Sequence, residues 1–276
     1  MREQSVEEMG HKGAMGVDRR HRVMAGSADA SMRLICFPHA GGSTFFYHPW
    51  RSLISSHVEL VTVRYPGGIE RLDEDPADSV ETLADSLADA LTCGPGAELP
   101  VVLFGHSLGA LVAYEFAQRM EARGRSVEHL FLSGSSAPHR RRRGTVWTRD
   151  DDDFWAAVRR LGGIDDSFME QRELLDALLP GMRADFRMAE TYGPRPARKL
   201  ECPVTVLTGA SDPGVPLDSA YAWNDITEDE FAVRVLPGGH FYLVDEMNAV
   251  TQLVNSCLRS SRSIHADSAR DSGERR

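Results

Sequence analysis

The sequence has little cysteine and no long apolar run. Its four cysteines are scattered, without the paired spacing that zinc sites and redox motifs use, so we expect no metal site and a reducing compartment. No apolar run approaches the roughly 18 residues that a membrane helix needs, and the amino end lacks the apolar segment of a secretion signal. These absences predict a cytoplasmic protein that does not associate with membranes.

The chain also lacks an excess of basic charge. Its formal net charge is −10, whereas nucleic acid binding needs a basic face, so nucleic acid is not an expected partner. The basic run Arg140–Arg143 is followed closely by the acidic run Asp150–Asp153. This pair of runs has two interpretations, a solvated loop with local charge compensation or a docking patch for an acidic partner.

The length and composition favour one large domain. A chain of 276 residues with 42% apolar content is long enough for a single α/β domain, which we assign to residues 31–258. Residues 1–30 and 259–276 are polar and lack apolar periodicity. Both ends are therefore predicted to be disordered.

Short apolar runs alternate with helical patterns through much of the chain. This order is typical of a mostly parallel central sheet flanked by helices. Helices are predicted over residues 78–91 and Ala110–Arg123, the second ending at Gly124. The predicted strands are Leu34–Phe37, Leu60–Val63, Val101–Phe104, Leu130–Leu132, Val204–Thr208 and Phe231–Leu236.

The alternation lapses between about residues 138 and 198. This interval has two helical patterns, Asp152–Arg160 and Glu170–Tyr192, the second interrupted or kinked at Pro180, and no strand pattern. Ligands of α/β sheets bind beyond the carboxyl ends of the strands, so helices inserted after a strand end can cover the site. We interpret the interval as a helical lid, the alternative being a plain structural extension.

A strand, a tight turn with a serine and a helix follow one another at residues 101–114. The turn reads Gly-His-Ser-Leu-Gly with Ser107 at its centre. A serine hydroxyl becomes a useful nucleophile at such a strained strand-to-helix turn, where a base can reach it. The alternative is that Ser107 merely caps a core helix.

An acid and a histidine follow two later strands. Asp212 lies in the turn after Val204–Thr208, and His240 lies in the glycine turn after Phe231–Leu236. The chain order Ser107, Asp212, His240 is that of an α/β-hydrolase fold, so these three residues are the predicted catalytic triad. The other position for the acid, after the preceding strand, holds none, since residues 132–136 read Leu-Ser-Gly-Ser-Ser.

Two backbone N–H groups are expected to form an oxyanion hole. One is the amide of Leu108, which opens the helix after Ser107. The other is expected in the loop after the first predicted strand, Phe37–Gly42, where we choose the amide of Ala40. The alternative for this loop is a simple tight turn.

Several segments coincide with the motifs of one family. The segments are Phe37–Ser43, Phe46–Trp50, Tyr65–Gly67 with Arg71, Phe104–Gly109, Leu179–Tyr192 and Gly239–Phe241. Together they resemble the type II thioesterases that accompany polyketide synthases and nonribosomal peptide synthetases, and the resemblance covers roughly residues 32–258. The chain departs from the family at Gly67–Arg71, where members often carry an arginine-rich stretch, and at the turn around Asp212.

The resemblance implies a substrate, a partner and a pocket. It implies hydrolysis of acyl or aminoacyl thioesters from the phosphopantetheine arm of an acyl or peptidyl carrier protein, with no metal or diffusible cofactor. A monomer is the expected state. If the lid gates the pocket, three of its side chains should influence the preferred acyl length: Met182, Phe186 and Met188.

Other functions remain open on the sequence alone. The same triad would serve a carboxylesterase or lipase that acts on small free esters, or a chain-releasing cyclising thioesterase. From another class, the chain could be a carrier-binding protein with a vestigial pocket.

Overall fold

A seven-stranded sheet forms the centre of the protein in the computed structural model, which describes residues 18–26, 29–164, 166–193, 196 and 198–259. The strands lie in the order β1-β3-β2-β4-β5-β6-β7, with β1 antiparallel to β3 and every other pair parallel. They are β1 (His21–Ala25), β2 (Met32–Phe37), β3 (Val58–Val63), β4 (Val101–His106), β5 (Val127–Ser133), β6 (Val204–Gly209) and β7 (Phe231–Leu236).

The central strands are buried on both faces because helices cover both. Every residue of β2, β4 and β6 is buried, as continuous apolar runs in parallel sheets predict. Along β2, Ile35 packs into one apolar cluster with the helices of one face, and Leu34 packs into the other cluster. All six strands that the sequence predicts are confirmed, and so is the α/β fold class.

The first strand corrects the prediction that residues 1–30 are disordered. Residues 21–25 pair with β3 at the sheet edge, and Met24 is the one fully buried side chain among them. Backbone pairing stabilises this edge strand, so it needs no apolar pattern of its own. Residues 1–17 lie outside the described residues. Residues 260–276, which make up nearly all of the second predicted tail, lie outside them as well.

Helices flank the sheet and continue into the inserted region. The helix α1 begins with a capping box between Ser79 and Thr82 and packs against α2. A 3₁₀ helix, Thr44–Ser52, covers the other face together with the last helix. The helices are α1 (Val80–Leu91), α2 (Leu108–Ala122), α3 (Asp151–Leu161), α4 (Asp166–Met169), α5 (Arg172–Thr191), α6 (Leu217–Tyr221), α7 (Tyr242–Asp245) and α8 (247–259).

The inserted region is helical and has a small apolar core of its own. Phe154 and Trp155 of α3 pack with Leu175 and Met182 of α5. The predicted interruption at Pro180 is absent, because α5 runs through it as one helix of 20 residues. A proline removes one backbone hydrogen bond from a helix, which the packing of this long amphipathic helix outweighs here. In the described part of the chain, no helix is both long and apolar enough to span a bilayer.

Candidate active site

Ser107 lies at a strained turn between β4 and α2. Its φ of 56° makes it the one non-glycine residue with a positive φ among the residues described, a conformation that costs an ordinary residue energy. Its N–H donates to the backbone oxygen of Ser133 at 2.8 Å. A Cβ on Gly105 would lie 2.1 Å from the oxygen of Gly109, so the turn has no space for a side chain at that position.

Three side chains from three strand ends form one hydrogen-bonded chain. His240 Nε2 lies 3.0 Å from Ser107 Oγ, and His240 Nδ1 lies 2.8 Å from Asp212 Oδ2. The Asp212 side chain is fully buried, and its other oxygen accepts the N–H of Gly214 at 2.8 Å. An ionised carboxylate only accepts, so Nδ1 carries the proton and Nε2 accepts from the serine hydroxyl.

This arrangement argues against the alternative in which Ser107 is only a helix cap. The residue stands at the position before α2, but its side chain accepts no hydrogen bond from the helix. Its hydroxyl instead faces His240. The site therefore has a nucleophile, a base in contact with it and a carboxylate that orients the base.

The two predicted oxyanion donors come from the start of α2 and from the loop after β2. Leu108 is the first residue of α2, so its N–H has no acceptor within the helix. Ala40 lies in the wall of the cavity that contains Ser107 and His240. The structure thus brings both residues to the site.

Four side chains hold the loop that contains Ala40 and the residues that follow it. The hydroxyl of Tyr47 donates to the oxygen of Phe37, and that of Tyr65 donates to the oxygen of Pro38. The carboxylate of Glu70 accepts from both the backbone N–H and the hydroxyl of Thr44, at 2.8 and 2.7 Å. The carboxylate of Asp185 accepts the Gly41 N–H at 2.8 Å. Glu70 belongs to the loop where the sequence departs from the family, so the departure has a structural role.

The imidazoles of His106 and His39 lie near His240, and His106 is fully buried. The ring centroid of His106 is 5.1 Å from that of His240, and the His39 ring contacts the His106 ring at 6.0 Å. Burial lowers the pKa of His39 to about 3 and that of His106 well below its ordinary value, with repulsion from His240 adding to both. Both imidazoles are therefore neutral at physiological pH, and neither opposes a positive charge on His240.

A chain of hydroxyls fixes His106. Its Nδ1 lies 2.9 Å from Ser133 Oγ, which in turn lies 2.6 Å from the hydroxyl of Tyr242. Neither this network nor the contact of Asp185 with Gly41 was predicted from the sequence. Asp185 had one available signal, since it lies in the Leu179–Tyr192 segment that carries the family resemblance.

A cavity of about 550 Å³ lies above Ser107 and is lined mainly by apolar side chains. Helices α3, α4 and α5 of the inserted region form much of its wall. Three lid residues are predicted to influence the preferred acyl length. Two of them, Met182 and Phe186, line this cavity. Met188 does not, because it is buried in the core cluster that includes α2. Two positions along a helix correspond to about 200°, so Met188 faces away from Phe186.

Within the described ranges, no three His, Cys, Asp or Glu side chains are grouped so that they could hold a metal ion. The four cysteines are all free thiols.

Comparison with known proteins agrees with this geometry. A family model described as a thioesterase domain matches residues 32–260. A probable cadicidin biosynthesis thioesterase of Streptomyces griseus is 40% identical over 245 residues, covering 89% of this chain and 67% of the relative. Thioesterase PikA5 of Streptomyces venezuelae is 40% identical over 235 residues, covering 85% of this chain and 83% of the relative.

One solved structure is similar to this chain in fold as well as in sequence. The type II thioesterase BorB from the borrelidin biosynthetic cluster superposes with a TM-score of 0.80 at 38% identity, covering 87% of this chain and 98% of that one. The likeness therefore covers most of the chain.

Proposed function

The chain belongs to the thioesterase family, and from that premise we propose that it hydrolyses acyl or aminoacyl thioesters carried on the phosphopantetheine arm of a carrier protein. Its partners would be the acyl or peptidyl carrier domains of a polyketide or nonribosomal peptide assembly line, which it would clear of stalled groups. The observation that carries the proposal is the hydrogen-bonded chain Ser107–His240–Asp212 beneath a lidded, mainly apolar cavity.

The geometry supports a two-step acyl transfer. Ser107 Oγ attacks the thioester carbonyl while His240 Nε2 takes the hydroxyl proton. The C–S bond then breaks, and the leaving thiolate takes that proton from His240 and departs as the pantetheine thiol. A water then gives a proton to His240 and attacks the acyl-serine, which frees the acid and restores the hydroxyl. Asp212 holds the imidazole tautomer and stabilises its positive charge in both steps.

The amides of Ala40 and Leu108 are the proposed donors to the tetrahedral oxyanion. Leu108 opens α2, so the positive end of the helix dipole adds to its N–H. Removal of one such donor typically costs on the order of 10²–10³ in rate. The triad and these amides supply the nucleophile, the base and the oxyanion donors, so the proposed reaction uses no cofactor beyond the partner's pantetheine.

Met182 and Phe186 are the proposed substrate-binding residues of the lid. The mainly apolar wall to which they belong suits the alkyl portion of an acyl group. The four free thiols fit the proposed cytoplasmic location, where disulfides are rare.

The test is the release of an acyl group from a carrier. A purified acyl-carrier protein is incubated with the wild type and with Ser107→Ala, and the carrier is weighed by mass spectrometry. We expect the wild type to return the carrier to its free-thiol mass and Ser107→Ala to leave it acylated. The released product is analysed in the same sample, where a ring instead of the free acid would favour a cyclising thioesterase. An intact acyl-carrier under conditions in which p-nitrophenyl esters are cleaved would overturn the proposal in favour of an esterase.

A further inference from the structure

One lid side chain reaches the backbone of the loop that contains Ala40. Asp185 lies on α5 and is buried, and its Oδ2 accepts the N–H of Gly41 at 2.8 Å across 144 positions of sequence. The other side chains that hold this loop come from the 3₁₀ helix and from the segment after β3. Asp185 therefore links the inserted region to the loop directly.

The Gly41 N–H belongs to the central peptide of a tight turn. Gly42 N–H donates to the oxygen of His39 at 2.8 Å, and Gly41 has a φ of +70°. A hydrogen bond from the fourth residue to the first, with a glycine of positive φ in third position, is the pattern of a type II turn. Ala40 and Gly41 are then its two central residues, and the peptide between them is the one that Asp185 holds.

That central peptide has a second orientation available to it. Type I and type II turns differ mainly in the direction of the peptide between the two central residues. Rotation to type I would turn the Gly41 N–H away from Asp185 and bring the Ala40 carbonyl to its place, so the hydrogen bond from Gly41 would be lost. The Asp185 hydrogen bond thus selects one of the two turns and with it ψ of Ala40 and φ of Gly41.

The lid helix also packs directly on this turn. A Cβ on Gly41 would lie 2.2 Å from the sulfur of Met182, and a Cβ on Gly181 would lie 2.2 Å from the backbone oxygen of Gly67. Met182 and Asp185 are three positions apart on α5, so they lie on the same side of the helix. The seated helix and the ordered turn form one packed unit.

We propose that Asp185 is a positioning residue that keeps the turn carrying the Ala40 amide in its type II form, and that this form depends on a seated lid helix. The inference rests on the proposed function of Ala40. What the turn requires from Asp185 is a hydrogen-bond acceptor at this place, so an amide oxygen would serve as well as a carboxylate.

The test compares four variants with the wild type. Asp185→Asn keeps the acceptor, whereas Asp185→Ala and the similarly shaped Asp185→Leu remove it. Glu190→Ala is the matched control, because Glu190 lies on the same helix and accepts a backbone N–H at 3.0 Å, but from Trp147 of the lid instead of the turn. Values of kcat and KM are measured with an acyl-carrier protein and with a p-nitrophenyl ester, and folding is monitored by thermal unfolding.

We expect the two variants without an acceptor to lose roughly 10–100-fold in kcat with KM changed by less than about threefold, since a donor that is misplaced mainly affects the transition state. Asp185→Asn should retain kcat within a few-fold, and Glu190→Ala should resemble the wild type. An Asp185→Asn variant as slow as Asp185→Ala would overturn the proposal, as would equal losses in Asp185→Leu and Glu190→Ala.

A fluorophosphonate separates this inference from the proposed function. Ser107 Oγ attacks phosphorus, its proton passes to His240 and fluoride leaves, so the labelling rate reports on the oxyanion site without any thioester. Slow labelling of Asp185→Leu with normal labelling of Asp185→Asn would support the positioning role even if no carrier were a substrate. Equal labelling rates in all variants would contradict it.

Discussion

The carbonyl oxygen of Phe37 and the α-carbon of Gly109 are in close contact: a Cβ on Gly109 would lie only 2.0 Å from that oxygen. Phe37 ends β2, and Gly109 is the second residue of α2. The loop of Ala40 and the turn of Ser107 are therefore held together at a point where no side chain fits.

Gly109→Ala should consequently damage both stability and activity. The added methyl group must push α2 away from β2, and overpacking of this kind costs about 1–3 kcal/mol of unfolding free energy. A displacement of about 1 Å at the site can reduce kcat on the order of 10²-fold. Urea unfolding and ester hydrolysis measure the two effects. For stability, Gly239→Ala is the control, since a Cβ there has nothing within 4 Å; equal stabilities of the two variants would contradict the contact.

Asp212→Asn tests the orientation of the imidazole. The Asn amide can donate to Nδ1 and so favours the tautomer with the proton on Nε2, which cannot accept from Ser107. We expect kcat to fall on the order of 10³–10⁴-fold with little change in KM or in the unfolding midpoint. A fall of less than tenfold, measured with the acyl-carrier protein, would show that Asp212 does not orient His240 during the reaction.

The lid residues should divide into two groups by the side of α5 on which they lie. Phe186→Ala enlarges the cavity, so kcat/KM for longer acyl chains should rise relative to shorter ones by roughly tenfold. Met188→Ala is the control on the same helix. It should lose about 2–5 kcal/mol of stability from the core and leave the chain-length profile unchanged. A profile that moves with Met188 and not with Phe186 would contradict the assignment.

The sequence predicted the positions of the triad because the signals are local. Ser107, Asp212 and His240 each follow an apolar strand and lie in a turn marked by glycine or proline. Parallel strands place their carboxyl ends at one edge, so the three turns meet without any further information. The five inner strands, β2 to β6, were predictable for a similar reason, since burial on both faces leaves apolar runs.

The parts that the sequence did not predict depend on distant partners. The strand β1 is stabilised by pairing with β3, and four of its five side chains are not fully buried, so no apolar pattern marks it. Asp185 lies in a segment that carries the family resemblance, but that segment does not indicate the contact with Gly41, which is 144 positions away. Met188 is different, because helical periodicity already separates it from Phe186 by about 200° and could have excluded it from the pocket.

His129 should make the fold sensitive to acid. Burial lowers its pKa to about 4, with Asp229 as the nearby charge that opposes the shift, and its Nε2 lies 2.9 Å from Thr205 Oγ1. Between pH 6.5 and 4 the unfolded chain binds a proton that the native histidine does not, so stability is lost as pH falls through this window. His129→Gln removes the titration. From pH 7 to pH 5 the variant should lose about 2 kcal/mol less than the wild type in urea unfolding. Parallel losses in the two proteins would exclude this contribution.

Asp185 should contribute a dependence of the opposite sign. Burial raises its pKa to about 7, the Gly41 hydrogen bond opposes the shift, and the buried hydroxyl of Tyr65, whose pKa is also raised, is the titratable neighbour. Between pH 4 and 7 the native carboxyl holds a proton that the unfolded chain has released, so this group's contribution to stability falls as pH rises.

Asp185→Asn keeps an acceptor for Gly41 but cannot ionise, so it isolates this contribution from that of the histidines. The stability of the variant relative to the wild type should increase by about 2–3 kcal/mol between pH 5 and pH 8, because only the wild type must bury a negative charge at the higher pH. Urea unfolding of both proteins at the two pH values measures the difference, and the shared titrations of His39, His106 and His129 cancel in it. A difference that does not vary with pH would mean that the carboxyl is already ionised at pH 5.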